Sequence, residues 1–373
     1  MKITGFWRNT LSCLLLLAML AFGAAWFGYA HLTGLVQGRL RGLIGNNFTV
    51  GEVSAHWNRV ELTRIRIARQ GKGTFDRRFA IDRVVLRPRL LSLFTGHLEF
   101  GDIDLENPYL LLEITPDGSF MPLLQPSSQK SPATGPVMPI VIDGIHISGG
   151  KIELLDWHVG QRGAVGLSNP AEHYNLLQFR DICLDVGRLN YPPVDQMTKI
   201  NLSLKSLGGG GLTLSGKLTP KTLDSRLRLD IKELNILNYR PYFLKKGDLN
   251  VTNGSLTAGC DIAISNRQLK APGTIVLKDL TFDRGGTKGF LMGIPTWAMV
   301  KLMSDNQNGL KVDFALSGSL DNPHFSIRQS LLEQVATALS SKIGISSAVS
   351  VGKGIIGIGE KGLKGLFGVF GGK

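Results

Sequence analysis

Residues 199–231, KINLSLKSLGGGGLTLSGKLTPKTLDSRLRLDI, decide how this chain is read. Ile200, Leu202 and Leu204 alternate with Asn201 and Ser203, and Leu227, Leu229 and Ile231 alternate with Arg228 and Asp230. A period of two sends successive side chains to opposite faces of a strand, so each run has one apolar and one polar face. Gly208–Gly211, between the two runs, lacks the Gly-Lys-Ser/Thr of a phosphate loop and reads as a flexible hairpin end.

Outward from that stretch the pattern repeats. Ile262 and Ile264 alternate with polar or small residues, as do Val312, Phe314 and Leu316. Upstream, Val60, Leu62, Ile65 and Ile67 are punctuated by Arg64, Arg66 and Arg69. Further apolar runs cover Ile81–Leu86, His97–Leu105 and Tyr109–Ile114. Gly, Asn or Asp separates many of these runs, which predicts a chain of antiparallel strands, each apolar on one face. The segment Phe290–Met303 (FLMGIPTWAMVKLM) is an exception and predicts a short helix opened by Pro295. Two architectures meet the pattern: a compact sandwich whose apolar faces bury each other, and a long curved sheet whose concave face holds an apolar ligand.

Composition bounds the remaining choices. At 43% hydrophobic and 19% charged residues, the 373-residue chain is not a disordered one. Its net charge of +13 is unevenly placed: residues 59–89 carry ten basic and three acidic side chains, whereas 90–341 carry 23 and 24. A neutral middle with basic ends argues against a nucleic-acid reader and for ends that lie near an anionic surface. Cys13, Cys183 and Cys260 are too few and too scattered for a disulfide scaffold or a zinc site. Cys260 shares a face with Leu256, Ala258, Ile262 and Ile264, while Cys183 is out of phase with Ile182, Leu184 and Val186, which predicts two unpaired thiols rather than a bridge.

The ends have their own signatures. Leu11 to Leu32 contain no Asp, Glu, Lys or Arg. As a helix these residues extend about 33 Å, enough for a hydrocarbon core of about 30 Å. Trp7 stands at one margin and Trp26 and Tyr29 near the other, as interfacial aromatics do. A cleaved signal peptide with Gly28-Tyr29-Ala30 as its processing site is the rival reading; the run is longer than such a peptide needs, which favours an uncleaved anchor. Near the other end, Leu331, Leu332, Val335, Leu339 and Ile343 form one helical stripe within 328–344. Residues 345–373 mix glycine, apolar residues and lysine, a composition that suits either a membrane-surface segment or an unstructured tail.

Signatures of bond chemistry are missing from the sequence. No His-Glu-x-x-His and no Gly-x-Ser-x-Gly occurs. Asp102, Asp104 and Glu106 alternate along one strand face, and a solvated face is expected there rather than a cation site. The chain is therefore expected to be neither an enzyme nor a holder of metal or cofactor.

Two blocks carry a family resemblance. Residues 50–67 (VGEVSAHWNRVELTRIRI), then 79–114 (FAIDRVVLRPRLLSLFTGHLEFGDIDLENPYLLLEI) and Asp117-Gly118-Ser119, resemble the opening of the AsmA-like family. Gly293-Ile294-Pro295, Asn308-Gly309-Leu310 and the stretch Gly318–Ser326 (GSLDNPHFS) resemble its ending. The resemblance implies an inner-membrane-anchored protein projecting into the periplasm, similar to bridge-like lipid transfer proteins whose apolar groove carries acyl chains.

Together these readings predict a mostly β protein with an N-terminal transmembrane helix, an elongated curved antiparallel sheet forming a groove, and a C-terminal amphipathic helix. The expected segments are an anchor (1–33), a first β unit (34–126), a Pro-rich linker (127–139), groove repeats (140–327), an amphipathic helix (328–344) and a basic Gly-rich tail (345–373). The expected lipid-facing residues are Leu202, Leu204, Leu227, Leu229, Ile231, Ile262, Ile264, Val312, Phe314 and Leu316. Arg64, Arg66, Arg83 and Arg87 are the headgroup-binding candidates. The expected partners are phospholipid, the inner membrane and envelope proteins, with no nucleic acid; the expected role is outer-membrane lipid homeostasis. A non-transporting scaffold for outer-membrane or envelope assembly is the alternative.

Overall fold

The computed structural model describes residues 48–69, 75–89, 91–92, 96–121, 139–161, 173–243, 250–283, 290–291, 294–295, 309–320 and 326–327. The predicted membrane anchor, the 328–344 helix and the 345–373 tail lie outside the described residues. Among the described residues, no helix is long and apolar enough to cross a membrane.

Among the described residues, seventeen strands form one sheet. The first part contains β1 (Phe48–Thr49), β2 (Glu52–His56), β3 (Arg59–Ala68), β4 (Arg77–Leu86), β5 (Pro88–Arg89), β6 (Leu98–Glu106), β7 (Tyr109–Ile114) and β8 (Ile140–Asp156). Helix α1 (Trp157–Gln161) precedes β9 (Asn175–Val186), β10 (Leu189–Tyr191), β11 (Thr198–Ser206), β12 (Gly211–Leu218) and β13 (Ser225–Asn235). A 3-10 turn (Ile236–Tyr239) and α2 (Arg240–Phe243) lead into β14 (Val251–Ser265) and β15 (Gln268–Phe282). After the small ladder of β16 (Phe290–Leu291) and β17 (Ile294–Pro295), β18 (Leu310–Ser319) and β19 (Ser326–Ile327) complete the sheet.

Several of these strands are pieces of longer ribs. Phe79↔Leu110, Val84↔Leu105 and Arg83↔Glu106 share one register, so β6 and β7 run on as a single rib interrupted at Asn107-Pro108. β9 continues into β10 in the same way, and β4 into β5 with the register against β6 shifted by one residue between them. Each rib pairs with its neighbours along the chain, and all but one of these pairings are antiparallel.

The exception corrects the expectation of a wholly antiparallel sheet. β8 lies parallel to β6 and β7, with Leu98↔Ile140 at one end and Ile114↔Asp156 at the other. Parallel neighbours need a connection long enough to return to the starting end. Residues 115–139, which contain the Pro-rich stretch, supply it. Periodicity within a strand carries no sign of its direction, which is why the alternation left this pair invisible.

A second correction concerns residues 290–295. Phe290 pairs with Pro295 and Leu291 with Ile294, so Pro295 ends a small ladder rather than opening a helix at that point. Proline lacks an N–H and is tolerated at such a terminal position. The remainder of the predicted helix, 296–303, lies outside the described residues.

Candidate functional site: a continuous apolar face

Cross-strand register brings the period-two residues into line. Starting at β2, the pairs run Val53↔Leu62↔Val84↔Leu105↔Ile147. They continue Ile147↔Leu184↔Leu202↔Leu214↔Leu229↔Cys260↔Gly273↔Phe314. Directly paired residues share one face of a sheet, so one uncharged row crosses it from β2 to β18. A second row runs Ile103↔Ile145↔Val186↔Ile200↔Gly216↔Leu227↔Ile262. A third runs Leu204↔Leu212↔Ile231↔Ala258↔Ile275↔Val312.

Burial changes along these rows. Val53, Leu62, Val84 and Leu105 are buried within one cluster that also takes in Ile65, Phe100, Ile103 and Ile142. From Ile147 onward most of the row is half-buried: Leu184, Leu202, Leu214, Leu229 and Phe314 keep part of their surface accessible. Cys260 is the buried exception, and its thiol is pushed up mainly by burial. Beside it the Phe314 ring lies over Gly273, where a Cβ would come within 2.6 Å of ring carbon. Gly216 of the second row has φ +149°, and a Cβ there would meet the Arg226 carbonyl oxygen at 2.1 Å. The face is thus closed over β2–β6 and open over β9–β18.

The sequence-predicted lining residues fall together on this face. Leu202, Leu229 and Phe314 occupy the first row, Leu227 and Ile262 the second, and Leu204, Ile231 and Val312 the third. Leu316 pairs with Ala271, and Ile264 lies one alternation beyond Ile262. Sequence reasoning passed over Leu212 and Leu214, although their spacing in GLTL carries the same period. It also passed over the upstream part of the row, because the apolar phase shifts there: Leu62 and Ile65 are both buried, with Thr63 and Arg64 between them. Arg64 takes the left-handed conformation (φ 52°). Similar left-handed residues, Asp181 (φ 52°) and Glu233 (φ 48°), stand at register shifts in β9 and β13. Such bulges re-aim side chains and bend the sheet.

The opposite face is polar and ion-paired. Arg228 donates to Asp230 at 2.9 Å and to Asp261 at 2.9 Å, and these carboxylates hold its guanidinium firmly protonated. A shallow depression of about 550 Å³ lies around this group, lined also by Thr257, Thr274 and Asp313. Of the headgroup candidates, Arg64 and Arg66 are exposed. Arg83 pairs with Glu61 and Glu106 at 3.0 Å each, and Arg87 with Asp104 at 2.6 Å. Asp104 and Glu106 therefore each face an arginine across the ladder. Among the described residues, no group of three His, Cys, Asp or Glu is arranged to hold a metal ion. Cys183 is exposed and Cys260 buried, and neither forms a disulfide.

His146 of β8 stands between acidic neighbours. Register places Asp104 of β6 and Asp185 of β9 directly across from it, and its Nδ1 lies 2.7 Å from Asp185 Oδ1. The hydrogen bond with Asp185 raises its pKa, helped by the charges of Asp102, Asp185 and Asp104 against partial burial. A folded-state pKa above the unfolded value of about 6.5 means the stabilisation is complete below that pH. It is lost as pH rises through the folded value. Urea unfolding at about pH 6 and about pH 8.5 should show a loss on the alkaline side that shrinks in His146→Gln. An unchanged difference in that variant would remove His146 as its source.

A scan against protein-family models and a search of curated proteins find no match for this chain.

Proposed function

We propose that this protein binds phospholipid acyl chains on the open part of its apolar face and conveys them, without bond chemistry, as a membrane-anchored component of the periplasm contributing to outer-membrane lipid homeostasis. One observation carries the reading: the cross-strand row is closed between Val53 and Leu105 and, Cys260 apart, half-buried from Ile147 to Phe314. A sheet face that is apolar throughout but only half covered is costly in water unless something apolar lies on it. The distribution of basic residues toward the chain's ends and the resemblance of its first and last β blocks to the AsmA-like family point the same way.

Dimensions suit the task. From β8 to β18 there are seven rib-to-rib steps, about 34 Å at about 4.8 Å each. One leaflet's acyl region is about 15 Å thick, so the open face accommodates an acyl chain lying across several ribs. Transfer between a bilayer and this face exchanges one apolar environment for another, so the free-energy change is small and the movement reversible.

Native mass spectrometry of the full-length protein, released from membranes in mild detergent, tests the proposal. Adducts with the mass of phospholipid are expected to survive at activation energies that strip detergent. A folded chain free of lipid under those conditions would sink the reading.

A further inference from the structure

Connections at one end of the ribs expose large apolar side chains, most of all at two tips. Trp57, in the turn between β2 and β3, is 90% exposed, and Leu91, in the connection from β5 to β6, is 80% exposed. Register puts them at the same end: Val60 pairs with Leu86, so the start of β3 and the end of β4 coincide. The exposure of Leu91 is held in place rather than frayed. Next to it, the buried Ser92 hydroxyl donates to the Arg89 carbonyl at 2.7 Å and accepts from the Glu99 N–H at 3.0 Å, pinning both ends of the connection.

The sequence nearest both tips is basic. Residues 53–60 and 83–98 contain His56, Arg59, Arg83, Arg87, Arg89 and His97 and no carboxylate. Arg59 pairs with Glu61, and Arg89 with Glu99 and Asp143, all farther along the strands, as Arg83 does with Glu61 and Glu106 and Arg87 with Asp104; Arg59 and Arg89 still keep about half of their side chains accessible, at 47% and 53%. The sequence beside Leu91 is itself apolar, with Leu90, Leu93 and Phe94.

We infer that the Trp57 and Leu91 tips form a bilayer-contacting edge, inserting into the interfacial layer of a membrane that contains anionic lipid. Area decides between a membrane and a protein partner. Two aromatic or aliphatic tips offer at most about 250 Å² each, well short of the about 800 Å² that a stable protein interface takes from each partner. Interfacial attachment needs only a few apolar tips with basic flanks. Trp is enriched at that depth, and Trp or Leu accompanied by Arg is the composition of segments that lie in the interface. The inference stands on its own footing and does not require lipid on the open face.

The test reconstitutes the full-length protein, with Cys13, Cys183 and Cys260 replaced by Ala, into vesicles of phosphatidylethanolamine and phosphatidylglycerol. An environment-sensitive fluorophore is attached in turn to Trp57→Cys, Leu91→Cys and Leu207→Cys. Leu207 is a control, because it is exposed but lies at the opposite end of the ribs, beyond β11. Doxyl-labelled lipid is expected to quench the first two probes and leave the third bright, and exchanging phosphatidylglycerol for phosphatidylcholine should weaken that quenching. Absence of quenching at both tips, or equal quenching at all three positions, would overturn the inference. So would a blue shift at the tips without lipid quenching that grows with protein density, since that assigns them to a second copy of the chain.

Discussion

Replacing Glu113 by Gln is expected to lower the free energy of unfolding by about 3–5 kcal/mol, a large part of what a typical domain possesses. Glu113 sits in β7 with 3% of its side chain exposed. Arg69, at the end of the β3 rib, grips it with two hydrogen bonds, Nε to Oε1 at 3.0 Å and Nη2 to Oε2 at 2.8 Å. Arg78 of β4 approaches the same carboxylate at 3.5 Å. The hydrogen bond to Glu113 holds the Arg69 guanidinium above its ordinary pKa. Glutamine keeps the shape but removes the charge, leaving two guanidinium groups together in a site largely shut off from water. Urea unfolding measures the loss. Asp181→Asn serves as the contrast, because its 3.0 Å pair with Lys205 is exposed on both sides and an exposed pair contributes about 1 kcal/mol or less. If the two substitutions cost the same, the buried carboxylate is not what ties the β3, β4 and β7 ribs together.

The same substitution placed at two points of one row should give opposite results. Leu62 and Leu229 both belong to the row that starts at Val53. Leu62 is 1% exposed inside the cluster of the first ribs. An aspartate there buries an unpaired carboxylate, a cost of several kcal/mol, and the chain is expected to lose its cooperative unfolding transition. Leu229 is half-buried on the open face. An aspartate there can reach water, so the stability cost should stay within about 2 kcal/mol while the phospholipid adducts in native mass spectra disappear. A folded Leu229→Asp protein that keeps its lipid would show that this part of the row does not hold acyl chains.

Much of this arrangement is legible in the sequence, for a physical reason. Where a strand runs without a bulge, one face is apolar at every second residue, and Ile200/Leu202/Leu204 or Leu227/Leu229/Ile231 declare it at once. Legibility fails where the backbone breaks phase. Leu62 and Ile65 belong to the same buried cluster although their spacing is odd, because left-handed Arg64 intervenes between them. The parallel placement of β8 beside β6 escapes for another reason: it depends on the connection over 115–139, not on the strands. The Glu113 pairing escapes because its arginines come from 44 and 35 residues upstream, and nothing local in YLLLEI marks one carboxylate as enclosed.

The rib-by-rib pairing has a consequence for how the protein assembles and how its size can change. Apart from the return over 115–139, almost every contact between ribs joins sequence neighbours, so the entropy of closing each successive loop is small. The sheet can zip up one hairpin at a time from any nucleus, with stability set by nearest-neighbour terms as in a linear array. Adding or removing a whole hairpin, such as β12 with β13, preserves strand direction and the facing of every later side chain. The length of the apolar row can thus be changed by duplication or loss of hairpins without rebuilding either end.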